Sequence, residues 1–289
     1  MHAQTSKNRA LVGLFCYICV YMSEDTPKVV LTIAGFDPSS GAGITADLKT
    51  IVAHHLYGVA CITALTVQST QGAKRVHPVD AKLVRETLET LIADIRPDAL
   101  KIGMLGTGDV AEVVADFLGS SSLRNVVLDP VLRSSSGASL LDTTGLSTLR
   151  TRLLGRADVI TPNLEEAGLL ADIEVRDLDS ARAAARNLVE HGAKAVVLTG
   201  GHLQEATDVF VERKADGSID FQTFAGEKVH TANTHGTGCA FSTALACDLA
   251  TGLTLPGAVH AAKAYVTQAL RNSYAVGRGI NPVNHLFGK

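Results

Sequence analysis

The sequence has no tryptophan, and aromatic residues make up only 4% of its 289 positions. A core has to be built instead from the Ala, Val, Leu and Gly that dominate the chain, as in sheets covered closely by helices. Excess positive charge is lacking too: 26 Lys and Arg stand against 29 Asp and Glu, for a net charge of -3, with no basic run. That excludes a nucleic-acid surface, although a small anionic substrate needs only a local positive site. Cysteine is scarce. Cys16, Cys19, Cys61, Cys239 and Cys247 are too few for a disulfide framework in a chain this long. The Cys16–Cys19 pair sits in an apolar stretch with no second ligand pair, so it reads as neither zinc nor redox site. Reduced thiols in a cytoplasmic protein are expected. The sequence contains no Gly-Lys-Ser/Thr, no GxGxxG and no HExxH. A Walker-type loop, a dinucleotide fingerprint and a zincin helix are thereby excluded.

Hydrophobic residues reach 46% and charged residues 19%, which describes a globular chain and not a disordered one. Lys7 and Arg9 precede an apolar run over 10–22 that resembles a signal peptide but is short for a membrane span. No small-x-small cleavage site follows it. The preferred reading places residues 1–27 in an N-terminal extension outside the fold and 28–289 in one domain; an export signal is the alternative.

From position 28 onward apolar strands alternate with helical spacing. Strands are expected over 29–34, 59–67, 99–102, 126–128, 158–160, 195–198, 208–212 and 219–224. Helices are expected over 44–56, 80–95, 110–118, 164–170, 180–191, 238–251 and 256–273, with Asp80 as an N-cap. Lys-Ala-Asp-Gly between the last two strands is a hairpin signal. The alternation means βαβ units, an α/β fold and a mostly parallel sheet whose ligands bind beyond the strands' carboxyl ends. Asp37, Gln68, Met104, Asp129, Asn163 and Gly200 all follow apolar runs.

Four segments carry chemistry. Gly35-Phe-Asp-Pro-Ser-Ser-Gly-Ala-Gly links a strand to a helix and lets backbone approach a ligand, or is simply a tight turn. Gly236-Thr237-Gly238-Cys239 places unhindered N–H groups at a helix start, where anions bind. Cys239, in the first turn, is expected to have a lowered thiol pKa, or to be a small packing residue. Asn163 and Glu166 can help hold a hydrated Mg²⁺ together with Asp129, or form a capping box. The Gln68 amide both donates and accepts, which suits the ring nitrogen and exocyclic amine of an aminopyrimidine; capping of loop backbone is the alternative. His54, His55 and His235 read as surface or packing residues.

These segments occur together and in this order. On LTIAGFDPSSGAGITADLKT, GVACITALTVQST, KIGML, NVVLDPVL, ITPNLEEA, GGHL, NTHGTGCAFS and GRGINPVNH, the chain resembles the hydroxymethylpyrimidine/phosphomethylpyrimidine kinases of thiamin biosynthesis. The resemblance implies a ribokinase-like three-layer α/β/α fold. It implies ATP- and Mg²⁺-dependent phosphorylation of 4-amino-5-hydroxymethyl-2-methylpyrimidine, then of its monophosphate, and a homodimer. Carried over by motif, Gly35, Asp47, Gln68 and Met104 would contact the pyrimidine. Gly236, Thr237, Gly238 and Cys239 would form the anion hole, with Cys239 as base. Asp129, Asn163 and Glu166 would serve the Mg²⁺–phosphate region, and Lys263 would lie toward the nucleotide. Phe36, Ser40 and Thr45 depart from the family pattern beside the substrate loop, and Thr199 stands where many members have Lys. A pyridoxal kinase of the same group is the alternative enzyme, and a non-catalytic pyrimidine-binding module the alternative of another class.

Overall fold

Strands buried on both faces need apolar residues at consecutive positions, and the short runs read from the sequence supply them. The computed structural model describes residues 26–133, 137, 139–201 and 205–288. The proposed leader and the Cys16–Cys19 pair lie outside the described residues. Strands β1 (Val29–Phe36), β2 (Tyr57–Ser69), β3 (Gly72–Pro78), β4 (Ala99–Ile102), β5 (Val126–Leu128), β6 (Val159–Ile160), β7 (Ala195–Leu198), β8 (Asp208–Arg213) and β9 (Ile219–Phe224) form one sheet. Their order is β3-β2-β1-β4-β5-β6-β7-β8-β9. The strands from β2 to β7 in that order run parallel. At the two edges β3, and β8 with β9, pair antiparallel.

Helices cover both faces. One face carries α1 (Gly43–Ala53), α7 (Thr237–Ala250) and α8 (Leu255–Arg271). The other carries α2 (Ala81–Asp94), α3 (Gly108–Ser120), α4 (Thr143–Thr148) with its π-helical continuation Leu149–Leu153, α5 (Leu164–Ala171) and α6 (Leu178–Glu190). Side chains alternate across the sheet as a strand's period of two requires. Leu31, Ile33, Leu100, Ile102, Val126 and Leu128 join the core under α2 to α6. Val30, Ala99, Val127, Val159 and Val197 pack under α7 and α8. Lys101 falls on that second face, between Leu100 and Ile102, and is fully buried.

The Lys214–Ser218 turn closes the β8–β9 hairpin as its residues predict, with Gly217 at φ +84°. Two elements lie beyond the sequence reading: β3 and α4. Strand β3 is an edge strand of mostly polar, exposed residues, so it lacks the apolar run that marked the others. Helix α4 is a single short element capped by Asp142, whose side chain accepts from Gly145 N–H at 2.7 Å.

Asp80 caps α2 as its position predicts, accepting from Lys82 N–H at 2.9 Å and Leu83 N–H at 3.3 Å. Asp80→Ala should remove about 1 kcal/mol. Thermal melts should show Tm lower by roughly 2–4 °C with phosphorylation rates unchanged.

Candidate active site

The carboxyl ends of parallel strands meet the starts of the following helices, and a cavity of about 1070 Å³ lies along that edge. It spans the ends of β1, β2, β4, β5, β6 and β7. Of the twelve residues that the sequence singles out, eleven line it: Gly35, Gln68, Met104, Asp129, Asn163, Glu166, Gly236, Thr237, Gly238, Cys239 and Lys263. Asp47 does not.

Helix α7 starts inside this cavity. Gly236, its N-cap, has φ +82°, and a Cβ there would lie 1.8 Å from the Gly41 carbonyl oxygen. Only glycine permits that left-handed turn pressed against the loop after β1. The N–H groups of Gly238 and Cys239 have no backbone acceptor among the described residues. They are the free donors of a helix start and face the cavity with the positive end of the dipole. The expected lowering of the Cys239 thiol is overturned. Burial pushes the thiol up to about 12, against the pull of Lys101 and of a hydrogen bond from Gly43 N–H. A dry environment disfavours the thiolate more than one helix terminus favours it.

Asp47 requires a correction. Four residues after Gly43, it lies on the face of α1 that meets the sheet and α7, and it is fully buried. Its carboxylate accepts from Lys101 Nζ at 2.9 and 3.1 Å, from Thr32 Oγ1 at 2.6 Å and from Thr243 Oγ1 at 2.8 Å. Its acceptor positions are filled by protein and it is not among the lining residues, so it supports the cavity from beneath. Lys101 is the functional candidate that the sequence reading missed. Burial alone would lower its pKa, but Asp47, with Cys239 and Asp129 near, holds it above the ordinary lysine value. A signal was available: one charge inside the apolar run Ala99–Ile102.

Asp129 and Glu166 share the next wall. Ser242 Oγ donates to Asp129 Oδ2 at 3.0 Å. Asn163 and Glu166 form the capping box, each accepting from the other's N–H at 2.9 Å. The capping reading therefore holds, and the pair still lines the cavity. Burial raises the Asp129 carboxyl despite Lys101. Burial, then the neighbouring Asp129, pushes Glu166 up to about 8. Thr161 Oγ1 is buried on the same wall without a protein partner. Two crowded carboxyls and an orphaned hydroxyl fit a hydrated divalent cation, which uses one or two carboxylates and keeps most of its waters. Farther along, Lys263 Nζ donates to Asp208 Oδ2 at 2.7 Å, and Asp208 Oδ1 accepts from Gly200 N–H at 2.9 Å.

Gln68, half-buried, lines the cavity together with Met104 and Gly35; a Cβ on Gly35 would lie 2.9 Å from Met104 Sδ. His235 is neither surface nor simple packing. Its Nε2–H donates to Asp37 Oδ2 at 2.7 Å, and the Gln68 amide approaches the same nitrogen at 3.3 Å. Burial opposes ionisation of Asp37, but bonds from His235 and Ser39 keep its carboxyl below the usual range.

The sequence model of phosphomethylpyrimidine kinase matches residues 37–284. A hydroxymethylpyrimidine/phosphomethylpyrimidine kinase of Haemophilus influenzae is 41% identical over 261 residues, covering 89% of this chain and 96% of that protein. A phosphomethylpyrimidine kinase structure from Clostridium difficile 630 superposes with TM-score 0.74 at 34% identity, covering 84% of this chain and 99% of that one. A Bacillus subtilis pyridoxal kinase solved as an ADP complex gives TM-score 0.81 at 35% identity, covering 90% and 97%. The nine-stranded, helix-covered sheet is the ribokinase-like arrangement that the sequence implied. By match length, identity and fold together, this chain belongs to the phosphomethylpyrimidine kinase family.

Proposed function

We propose that this enzyme transfers the γ-phosphoryl group of ATP, with Mg²⁺, to the hydroxymethyl group of 4-amino-5-hydroxymethyl-2-methylpyrimidine and then to the resulting monophosphate. The observation that carries this reading is the start of α7. Its free N–H groups open onto one cavity, with a wall suited to a small polar heterocycle at Gln68 and a carboxyl wall at Asp129 and Glu166. A volume of about 1070 Å³ suits a nucleotide beside a small acceptor.

Phosphoryl transfer through a loose transition state asks mainly for positioning and charge stabilisation. Gly238 and Cys239 N–H groups stabilise the transferring group. Gln68 and Met104 hold the ring, and Lys263, fixed by Asp208, faces the nucleotide. A divalent cation at Asp129, Glu166 and Asn163 would neutralise phosphate charge. In the first transfer the hydroxymethyl oxygen forms the bond to the γ-phosphorus while the bond to the β–γ bridging oxygen breaks, and ADP leaves with that electron pair. The hydroxyl proton passes to the Cys239 thiolate. In the second transfer the acceptor is a phosphate, already ionised near neutral pH with a second pKa of roughly 6, and needs no base.

Parallel assays with the free pyrimidine, its monophosphate and pyridoxal test the reading. The pyrimidine should be phosphorylated fastest; a clear advantage for pyridoxal would reverse the substrate assignment. Activity on the first acceptor but not on the monophosphate would confine the reading to one step and point to Thr199. Gln68→Ala should raise KM for the pyrimidine about tenfold or more, as loss of hydrogen bonds to a buried polar ligand does, and leave KM for ATP nearly unchanged.

The charge state of Cys239 yields a second test. A thiol pushed up to about 12 is protonated at neutral pH, so its thiolate fraction rises tenfold per pH unit. The first transfer should therefore accelerate with a log–log slope near one between about pH 7 and 9. The second should not share that slope, and Cys239→Ala should abolish it. A flat profile for the first acceptor would mean that Cys239 packs the site and takes no proton.

A further inference from the structure

Lys101 is the strongest charge on the cavity floor, and the roles assigned so far leave it without a task. Its side chain is fully buried and lines the cavity. Stability alone does not call for the pair, because apolar replacement of both partners of a buried ion pair is often neutral or favourable. What surrounds it is built in register. A Cβ on Gly236, the N-cap of α7, would lie 3.5 Å from Cα of Ala42, the N-cap of α1, and one turn farther along both helices Asp47 accepts from Thr243. Helices α1 and α7 thus begin side by side, with both positive dipole ends at the cavity. Lys101 Nζ lies beneath, held by both carboxylate oxygens of Asp47. A Cβ on Gly103 would fall 2.7 Å from that nitrogen, so glycine at this position leaves the ammonium the space it occupies. The charged groups that act on the sulfur are Lys101, Asp129 and Asp47.

We propose that Lys101 is a positioning residue for the first transfer: its ammonium, fixed by Asp47, is the counter-charge that allows Cys239 to exist as a thiolate when the acceptor's proton moves. Thr32 and Thr243 hold Asp47 so that the ammonium stays under Cys239 and does not swing to Asp129. The inference rests on the reading of Cys239 as proton acceptor.

Alkylation of Cys239 by iodoacetamide in the ligand-free protein, followed by mass spectrometry of the Cys239 peptide, separates the two ideas because it requires no turnover. At about pH 8.5, Lys101→Met should slow alkylation of Cys239 by about tenfold, with Cys61 and Cys247 unaffected. That variant leaves Asp47 without its partner and can unfold. Lys101→Met combined with Asp47→Asn removes both charges and keeps hydrogen bonds to Thr32 and Thr243. Losing the Asp47 charge offsets part of the effect, so about threefold slowing is expected. In the same folded double variant, kcat for the hydroxymethyl acceptor should fall with KM changed less than about twofold, and the second transfer should fall less. An unchanged alkylation rate in the folded double variant would overturn the role of Lys101. Slower alkylation with an unchanged first transfer would overturn Cys239 as proton acceptor, and the positioning role with it.

Discussion

The ion pair between Lys101 and Asp47 is the constraint on which the rest of the site depends. It has no exposure to solvent. It joins β4 to α1 directly, and through Thr32 and Thr243 it also engages β1 and α7. Four elements are thus referenced to one point under the cavity. Removing one partner of such a pair leaves a lone buried charge, at about 3–5 kcal/mol. The geometry is therefore held by an electrostatic condition as well as by packing: α1 and α7 cannot slide along the sheet without stretching bonds to a carboxylate that has no water to turn to.

A second knot ties the loops above that floor. Gly236 presses against Gly41, and His235 reaches past Gly41 to Asp37 and Gln68. The backbone of His235 bonds to Asn281 and Val283, which brings the C-terminal segment onto the same wall. A cluster of this kind makes the approach of the loop after β1 and the start of α7 a fixed distance. It explains why two glycines face each other there: a side chain on either would separate the substrate wall from the anion-binding helix start.

The sequence announced the sheet well because buried parallel strands are apolar at nearly every position. Ala99–Ile102, Val126–Leu128 and Ala195–Leu198 coincide with their apolar runs. It failed at Gly72–Pro78, where an exposed edge strand has no pattern, and at Thr143–Thr148, too short for periodicity to register. The site was legible as a list and less so as chemistry. Glycines and strand-end residues found the cavity. Asp47, carried over by motif as a pyrimidine contact, lies beneath the cavity, because one turn beyond Gly43 the helix faces Thr243. Lys101 was overlooked because a lysine inside a strand reads as noise until the strand's two faces are known. The direction of the Cys239 shift was misjudged for a related reason: a helix start is visible in sequence, but the dryness around it is not.

That dryness acts on every ionisable group of the cavity, and its consequences for the acids and for the thiol run in one direction. Burial raises Asp129, Glu166 and Cys239 alike, so each is biased toward its neutral form when nothing charged has entered. A wall with less negative charge repels ATP less. Positive charge entering with the nucleotide reverses the bias, because a nearby cation favours the ionised form of every group that burial disfavoured. On the proposed Mg²⁺ reading, protons and the cation would compete for Glu166, which is pushed up to about 8, and a higher pH would favour the cation. Lys101 differs from such a visitor in being permanent and matched by Asp47, and it acts on both Cys239 and Asp129. On the proposed mechanism the floor carries one standing charge for proton transfer, and the wall gains charge when a cation enters with the phosphates.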